Sequence, residues 1–130
     1  MIERLQRDLE LLRGRYPDVQ FRKEGLWVFL PGYIVSSGWE RKKYDVCFQI
    51  RPGYPDISPY GINVSPPPRR SDGTPLKDYA DNPEPKPPFE GAWGRFSWEA
   101  AAWKAAPDLV SGSTLLNYVE SIRQRFEEGP

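Results

Sequence analysis

The sequence predicts an α+β domain: an N-terminal helix, a four-stranded antiparallel meander, a long proline-rich loop, a short helix and a C-terminal helix. Three observations predict it. Apolar residues recur every three or four positions at both ends of the chain. They alternate every second position through the middle. The strand-like runs are joined by short Gly- and Pro-containing turns, which suit hairpins between antiparallel neighbours. With 130 residues the chain is expected to form a single domain, 1–130, with one core.

In the first element, Ile2, Leu5, Leu9 and Leu12 share a helix face, while Glu3, Arg4, Arg7, Asp8 and Glu10 take the others. Gly14 and Pro17 supply the stop. Val19 and Phe21 alternate with polar neighbours as a first strand, and Lys23-Glu24-Gly25 turns the chain. Leu26 to Leu30 is a β-rich run, interrupted by Pro31-Gly32, which Tyr33 to Val35 can extend beyond the bend. The third strand carries Val46, Phe48 and Ile50 on one face and Asp45, Cys47 and Gln49 on the other. It stops at Arg51-Pro52-Gly53, because proline has no ladder donor and glycine accepts dihedrals that other residues avoid. Tyr54-Pro55 and Ser58-Pro59 stiffen the loop that follows, and Ile62 and Val64 begin a fourth strand closed by Pro66-Pro67-Pro68.

Regular structure is expected to stop between residues 66 and 92. Eight of the fifteen prolines lie between Pro66 and Pro88. A loop of that length is either a functional or mobile segment, or an extended arm lying over the sheet and pinned by Leu76 and Tyr79. Pro85-Lys86-Pro87-Pro88 also has the composition of a proline-recognition ligand. Beyond it, Ser97 suits the N-cap of a short helix running from Glu99 to Lys104 and ended by Pro107. Leu115, Val119, Ile122 and Phe126 share a face of the last helix, expected from about Thr114 to Glu127 with Ser111 or Ser113 as its cap.

Composition narrows function. Lys plus Arg and Asp plus Glu balance at 18 each, which argues against a dedicated nucleic-acid or membrane-surface binder. The charged N-terminal residues do not read as a secretory segment, so a cytoplasmic location is expected. The chain has no histidine and one cysteine. A Ser-His-Asp triad, a Cys-His pair and a zinc site of the usual kind are therefore impossible within it, and no metal or cofactor is expected. Cys47, in mid-strand, reads as a small buried apolar residue. Trp93, Trp98 and Trp103 are five apart and make no one-sided stripe on a helix, so packing is their expected use.

The order of elements, with Phe48-Gln49-Ile50-Arg51-Pro52-Gly53-Tyr54-Pro55-Asp56-Ile57-Ser58-Pro59 at its centre, resembles the ubiquitin-conjugating (E2/UBC) superfamily. It is most similar to prokaryotic E2 family E. The residues that carry this are the Pro52 to Asp56 turn, Pro66-Pro67-Pro68, Gly73 with Pro75, the Trp93-Gly94-Arg95-Phe96-Ser97 block and Trp103. The resemblance covers nearly the whole chain. It implies a UBC-like fold and, as partners, a ubiquitin-like protein, an E1-like adenylating enzyme and a JAB-type peptidase. It places partner-binding residues at Arg4 and Arg7 on the first helix, at Tyr54, Pro55, Ile57 and Pro59 in the braced loop, and at Trp103 and Pro107 in a second loop.

The family's chemistry needs a thiolate to accept an acyl group, beside a donor that steadies the oxyanion. This chain has neither His-Pro-Asn nor any cysteine after Cys47. Ser97 is the nearest hydroxyl to the expected place, with no histidine to activate it. Three readings follow: a non-catalytic adaptor; an active conjugating enzyme whose cysteine has been substituted, with Ser97 or Ala100 to Ala102 as the position; and a recognition domain whose Pro- and Trp-rich loop binds something unrelated.

Overall fold

A computed structural model describes residues 2–99, 102–104 and 112–127. Helix α1 (Ile2–Arg15) is followed by strands β1 (Gln20–Arg22), β2 (Trp27–Ile34), β3 (Lys43–Gln49), β4 (Tyr60–Ser65), β5 (Tyr79–Asp81) and β6 (Gly94–Glu99), then helix α2 (Leu115–Glu127). Among the described residues the strands form one antiparallel sheet of order β1-β2-β3-β4-β6-β5. The α+β class and the two terminal helices are as the sequence reads. The sheet has six strands where four are expected.

The added strands come from the segment read as loop and short helix. Gly94 to Glu99 pairs with β4, matching Ile62 with Phe96 and Asn63 with Arg95. Glu99 is therefore a strand residue, and Trp103 and Lys104 are not helical. Ser97 is a strand residue and not a helix cap: it is exposed in β6, and its N–H donates to Asp78 O at 2.8 Å. The alternation of Phe96 and Trp98 with Arg95, Ser97 and Glu99 overrides the capping signal, because pairing with β4 satisfies the backbone of the whole segment. Within the 66–92 segment, Tyr79 to Asp81 adds the edge strand.

One face of the sheet carries the main core. Val28, Leu30, Val46, Phe48, Ile62, Val64 and Phe96 pack with Leu5, Leu9 and Leu12 of α1 and Leu115, Tyr118, Val119, Ile122 and Phe126 of α2. Sheet side chains also hold α2 through its backbone and ends. Tyr33 Oη donates to Val119 O at 2.8 Å and Trp39 Nε1 to Phe126 O at 3.0 Å, while Tyr118 Oη reaches back to Gly61 O at 3.0 Å.

The N-cap of α2 is Thr114, not Ser111 or Ser113. Asn117 N donates to Thr114 Oγ1 at 3.2 Å, and Thr114 N donates to Asn117 Oδ1 at 2.8 Å, a reciprocal box that satisfies two end groups. Ser113 instead accepts from Lys104 N through Oγ at 3.0 Å, and Ser111 lies outside the described residues. Thr114→Ala should lower stability by about 1 kcal/mol in urea unfolding, with Ser113→Ala costing less.

Candidate functional site

The loop between β3 and β4 is braced from inside. Tyr54 N donates to Arg51 O at 3.2 Å, Ile57 N to Gly53 O at 3.1 Å, and Arg51 Nε to Ser58 O at 2.9 Å. Gly53 sits at φ 95, where a Cβ would lie 2.9 Å from Ile57 Cδ1. The turn thus depends on a residue without a side chain. Tyr54-Pro55 is cis.

Tyr54 is buried and points at α1. Its hydroxyl donates to Asp8 Oδ2, which also accepts from Arg4 Nε at 3.1 Å. Arg4 in turn donates through Nη2 to Ser113 O at 2.9 Å. Trp103 Nε1 donates to Pro55 O at 2.8 Å, and its ring lies 6.0 Å from that of Tyr54. This polar joint ties α1, the braced loop, Trp103 and the start of α2 together. Burial, with the Asp8 carboxylate beside it, pushes the Tyr54 phenol far above its usual range.

The structure buries three of the expected docking residues. Arg4, read on a solvated face, is 7% exposed, because Asp8 one turn on gives its guanidinium an inward partner. Tyr54 and Pro59 are buried as well. These three shape the surface and do not present it. Arg7 and Ile57 are exposed, Pro55 and Trp103 are half-buried, and Pro107 lies outside the described residues. Ile57 is 45% exposed and Tyr60 46%, and the Arg51 guanidinium lies 5.5 Å from the Tyr60 ring centroid. The sequence reading assigns no docking role to Tyr60 or Arg51; an aromatic directly after the last loop proline and a cation at the strand's end were the available signals.

The sheet's other face holds Cys47. One cross-strand row runs Phe29, Cys47, Asn63, Arg95. Asn63 Nδ2 donates to Cys47 O at 3.3 Å, and Arg95 Nε donates to Asn63 Oδ1 at 2.8 Å. Residues 82–93 cross this face as a strap. Arg95 donates to Glu84 O at 2.8 Å and Pro85 O at 3.0 Å, Arg22 donates to Pro88 O at 3.3 Å, and Trp93 Nε1 donates to Phe89 O at 3.1 Å. The arm expected over the sheet is present. Leu76 and Tyr79 pack against the main core, whereas Phe89 and Trp93 close the Cys47 face together with Trp27.

Cys47 is 0% exposed. Burial pushes its thiol well above the ordinary range, against the opposing pull of Arg95. A neutral, enclosed thiol is neither a nucleophile nor a leaving group at neutral pH. Among the described residues no basic side chain is hydrogen-bonded to Ser97 on β6. Among the described residues no group of three or more Cys, Asp or Glu side chains is placed to hold a metal ion, and no helix is long and apolar enough to cross a membrane.

The chain matches no protein-family model, no curated protein and no solved structure. The class that fold and site define is therefore an α+β protein with a six-stranded antiparallel sheet, a helix-backed braced loop and an enclosed thiol.

Proposed function

We propose that this chain is a ubiquitin-conjugating-like protein of a bacterial ubiquitin-like conjugation pathway and acts there as a non-catalytic adaptor. The observation that carries the reading is the pairing of an intact braced loop with a sealed sulfur. The loop of Pro52 to Pro59, the helix–sheet–helix order and the exposed side chains of Arg7, Arg51, Ile57 and Tyr60 support docking. Cys47, under Trp27 and Trp93, cannot accept an acyl group. The partners are a ubiquitin-like protein, an E1-like adenylating enzyme and a JAB-type peptidase; nucleic acid and membrane are not among them.

The second reading, an active enzyme whose cysteine was substituted, concerns Ser97 and the Ala100 to Ala102 run. Ser97 is exposed on β6, and Ala100 and Ala101 lie outside the described residues. The third, a recognition domain for something unrelated, is weakened because the proline-rich strap is laid down on its own sheet.

The test is binding of the purified chain to a bacterial ubiquitin-like protein and to an E1-like adenylating enzyme. Ile57→Asp should weaken the interaction at least tenfold while leaving the melting temperature unchanged, since a charge placed in an apolar contact is poorly tolerated. Binding of neither protein would overturn the reading.

A further inference from the structure

Strand β1 is one edge of the sheet, and a groove of about 550 Å³ opens between it and α1. Leu5, Leu9 and Arg13 line the helix side, and Phe21, Lys23 and Leu26 line the sheet side. The backbone at this edge has a fixed direction. Ile50 N donates to Leu26 O at 2.9 Å, in register with the β2–β3 ladder. Backbone groups alternate in direction along a strand, so Leu26, Val28 and Leu30 serve β3, and Trp27 and Phe29 turn theirs towards Arg22 and Gln20. Phe21 stands between those two, and its N–H and C=O point away from the sheet. Among the described residues neither group has a hydrogen-bond partner.

The same residue lines the groove. Phe21 and Leu26 pack against the main core yet are only half-buried, while Gln20 and Arg22 alternate to the opposite face. Arg22 is engaged there by Pro88 O and Glu24. A strand laid along β1 exchanges both bonds with Phe21 through a single residue, and cross-strand neighbours share a face. The side chain of that residue therefore enters the groove beside Phe21. A ligand that is not extended leaves the two backbone groups unmatched. Charge selects the rest. Lys23, two positions from Phe21 in the same groove, has no ion pair among the described residues, and neither has Arg13 or Glu10. Two cations against one carboxylate leave the groove short of negative charge. Pairing of β1 with a second copy of itself would bring another Lys23 and Arg13 to that seam, so the charges favour a different, acidic partner.

We propose that β1 accepts, as an added strand, an extended segment of a partner protein that carries a large apolar residue with an acidic residue two positions away. The apolar side chain fills the groove between α1 and Phe21, its own N–H and C=O exchange two hydrogen bonds with Phe21, and the acid pairs with Lys23.

The test is an amide and methyl chemical-shift titration of the full chain with acetyl-Thr-Asp-Thr-Phe-Thr-Asp-Thr-amide. The peptide should shift the Phe21 amide and the Leu9 and Leu26 methyls saturably. The same peptide methylated on the phenylalanine nitrogen loses its donor to Phe21 O and should bind about tenfold more weakly. Replacing both aspartates by lysine should weaken binding to the native chain about threefold. Lys23→Glu should reverse that order, so that the lysine peptide binds the tighter, a gain that misfolding cannot produce. Equal binding of the methylated peptide, an unreversed order in Lys23→Glu, or no saturable Phe21 shift with either peptide overturns the proposal. So does a Phe21 shift that follows protein concentration without peptide, with a dimer in sedimentation, since a second copy would then be the occupant.

Discussion

Asp8→Ala is expected to cost about 3 kcal/mol of stability and to lower the melting temperature by on the order of 10 °C. Asp8 is 0% exposed, and one of its oxygens serves two donors on different elements, Arg4 Nε and Tyr54 Oη. Its other oxygen has no hydrogen-bond partner among the described residues. Desolvation of this carboxylate is thus offset by charge-assisted bonds at a single atom. Truncation removes that atom and leaves the buried phenol of Tyr54 without its acceptor. Tyr54→Phe removes one bond only and should cost about 1 to 2 kcal/mol. Urea unfolding of both variants separates the cases. A loss below about 1 kcal/mol for Asp8→Ala would show that the joint contributes little and that the braced loop is held by its own turn hydrogen bonds.

Trp93→Ala is expected to cost about 3 to 5 kcal/mol and to expose Cys47. Trp93 is 2% exposed, and its ring meets Phe29 at 6.3 Å and Phe89 at 6.4 Å between centroids. Phe29 and Phe89 themselves meet at 4.6 Å. Removing the indole also removes the Nε1 donor to Phe89 O, so the strap loses packing and its hydrogen bond at once. In the native chain a thiol reagent such as Ellman's should label Cys47 only as fast as the protein opens. In Trp93→Ala labelling should accelerate at least tenfold at equal reagent concentration, because the closed and opened populations shift together with stability. Unchanged labelling alongside a small stability loss would mean that the strap does not seal the thiol.

These variants bear on the two features the sequence made hardest to read. The braced loop was legible, since Pro52, Gly53, Pro55 and Pro59 each restrict the backbone locally. Its anchor was not: Asp8 and Tyr54 are 46 positions apart, and nothing local in Arg4 or Asp8 distinguishes a solvated pair from an inward one. The β-sheet's centre was legible because Val46, Phe48, Ile62 and Val64 keep a strict two-residue period. Strand β6 carries the same period in Phe96 and Trp98, yet Ser97 followed by Glu99 and three alanines also has the composition of a helix start, and only pairing with β4 decides between them. Cys47 was read correctly as buried, but for half of the reason. Alternation places it on the face away from the main core, and its enclosure comes from the strap, whose long-range docking through Arg95, Phe89 and Trp93 leaves no periodic trace in the sequence. The cap of α2 shows the smaller scale of the same limit. Three hydroxyl residues, Ser111, Ser113 and Thr114, compete within four positions, and Asn117 selects the last.

The proposed adaptor role requires that the chain offer no accepting thiolate. For this role, the measurement is incubation of the purified chain with an E1-like adenylating enzyme, ATP and a ubiquitin-like protein, resolved on a non-reducing gel. The expected result is no thiol-reducible adduct, with the ubiquitin-like protein held on the adenylating enzyme alone. A reducible adduct on this chain that disappears in Cys47→Ser would contradict it, since it would require the sulfur beneath Trp93 to reach a partner's activated carboxyl.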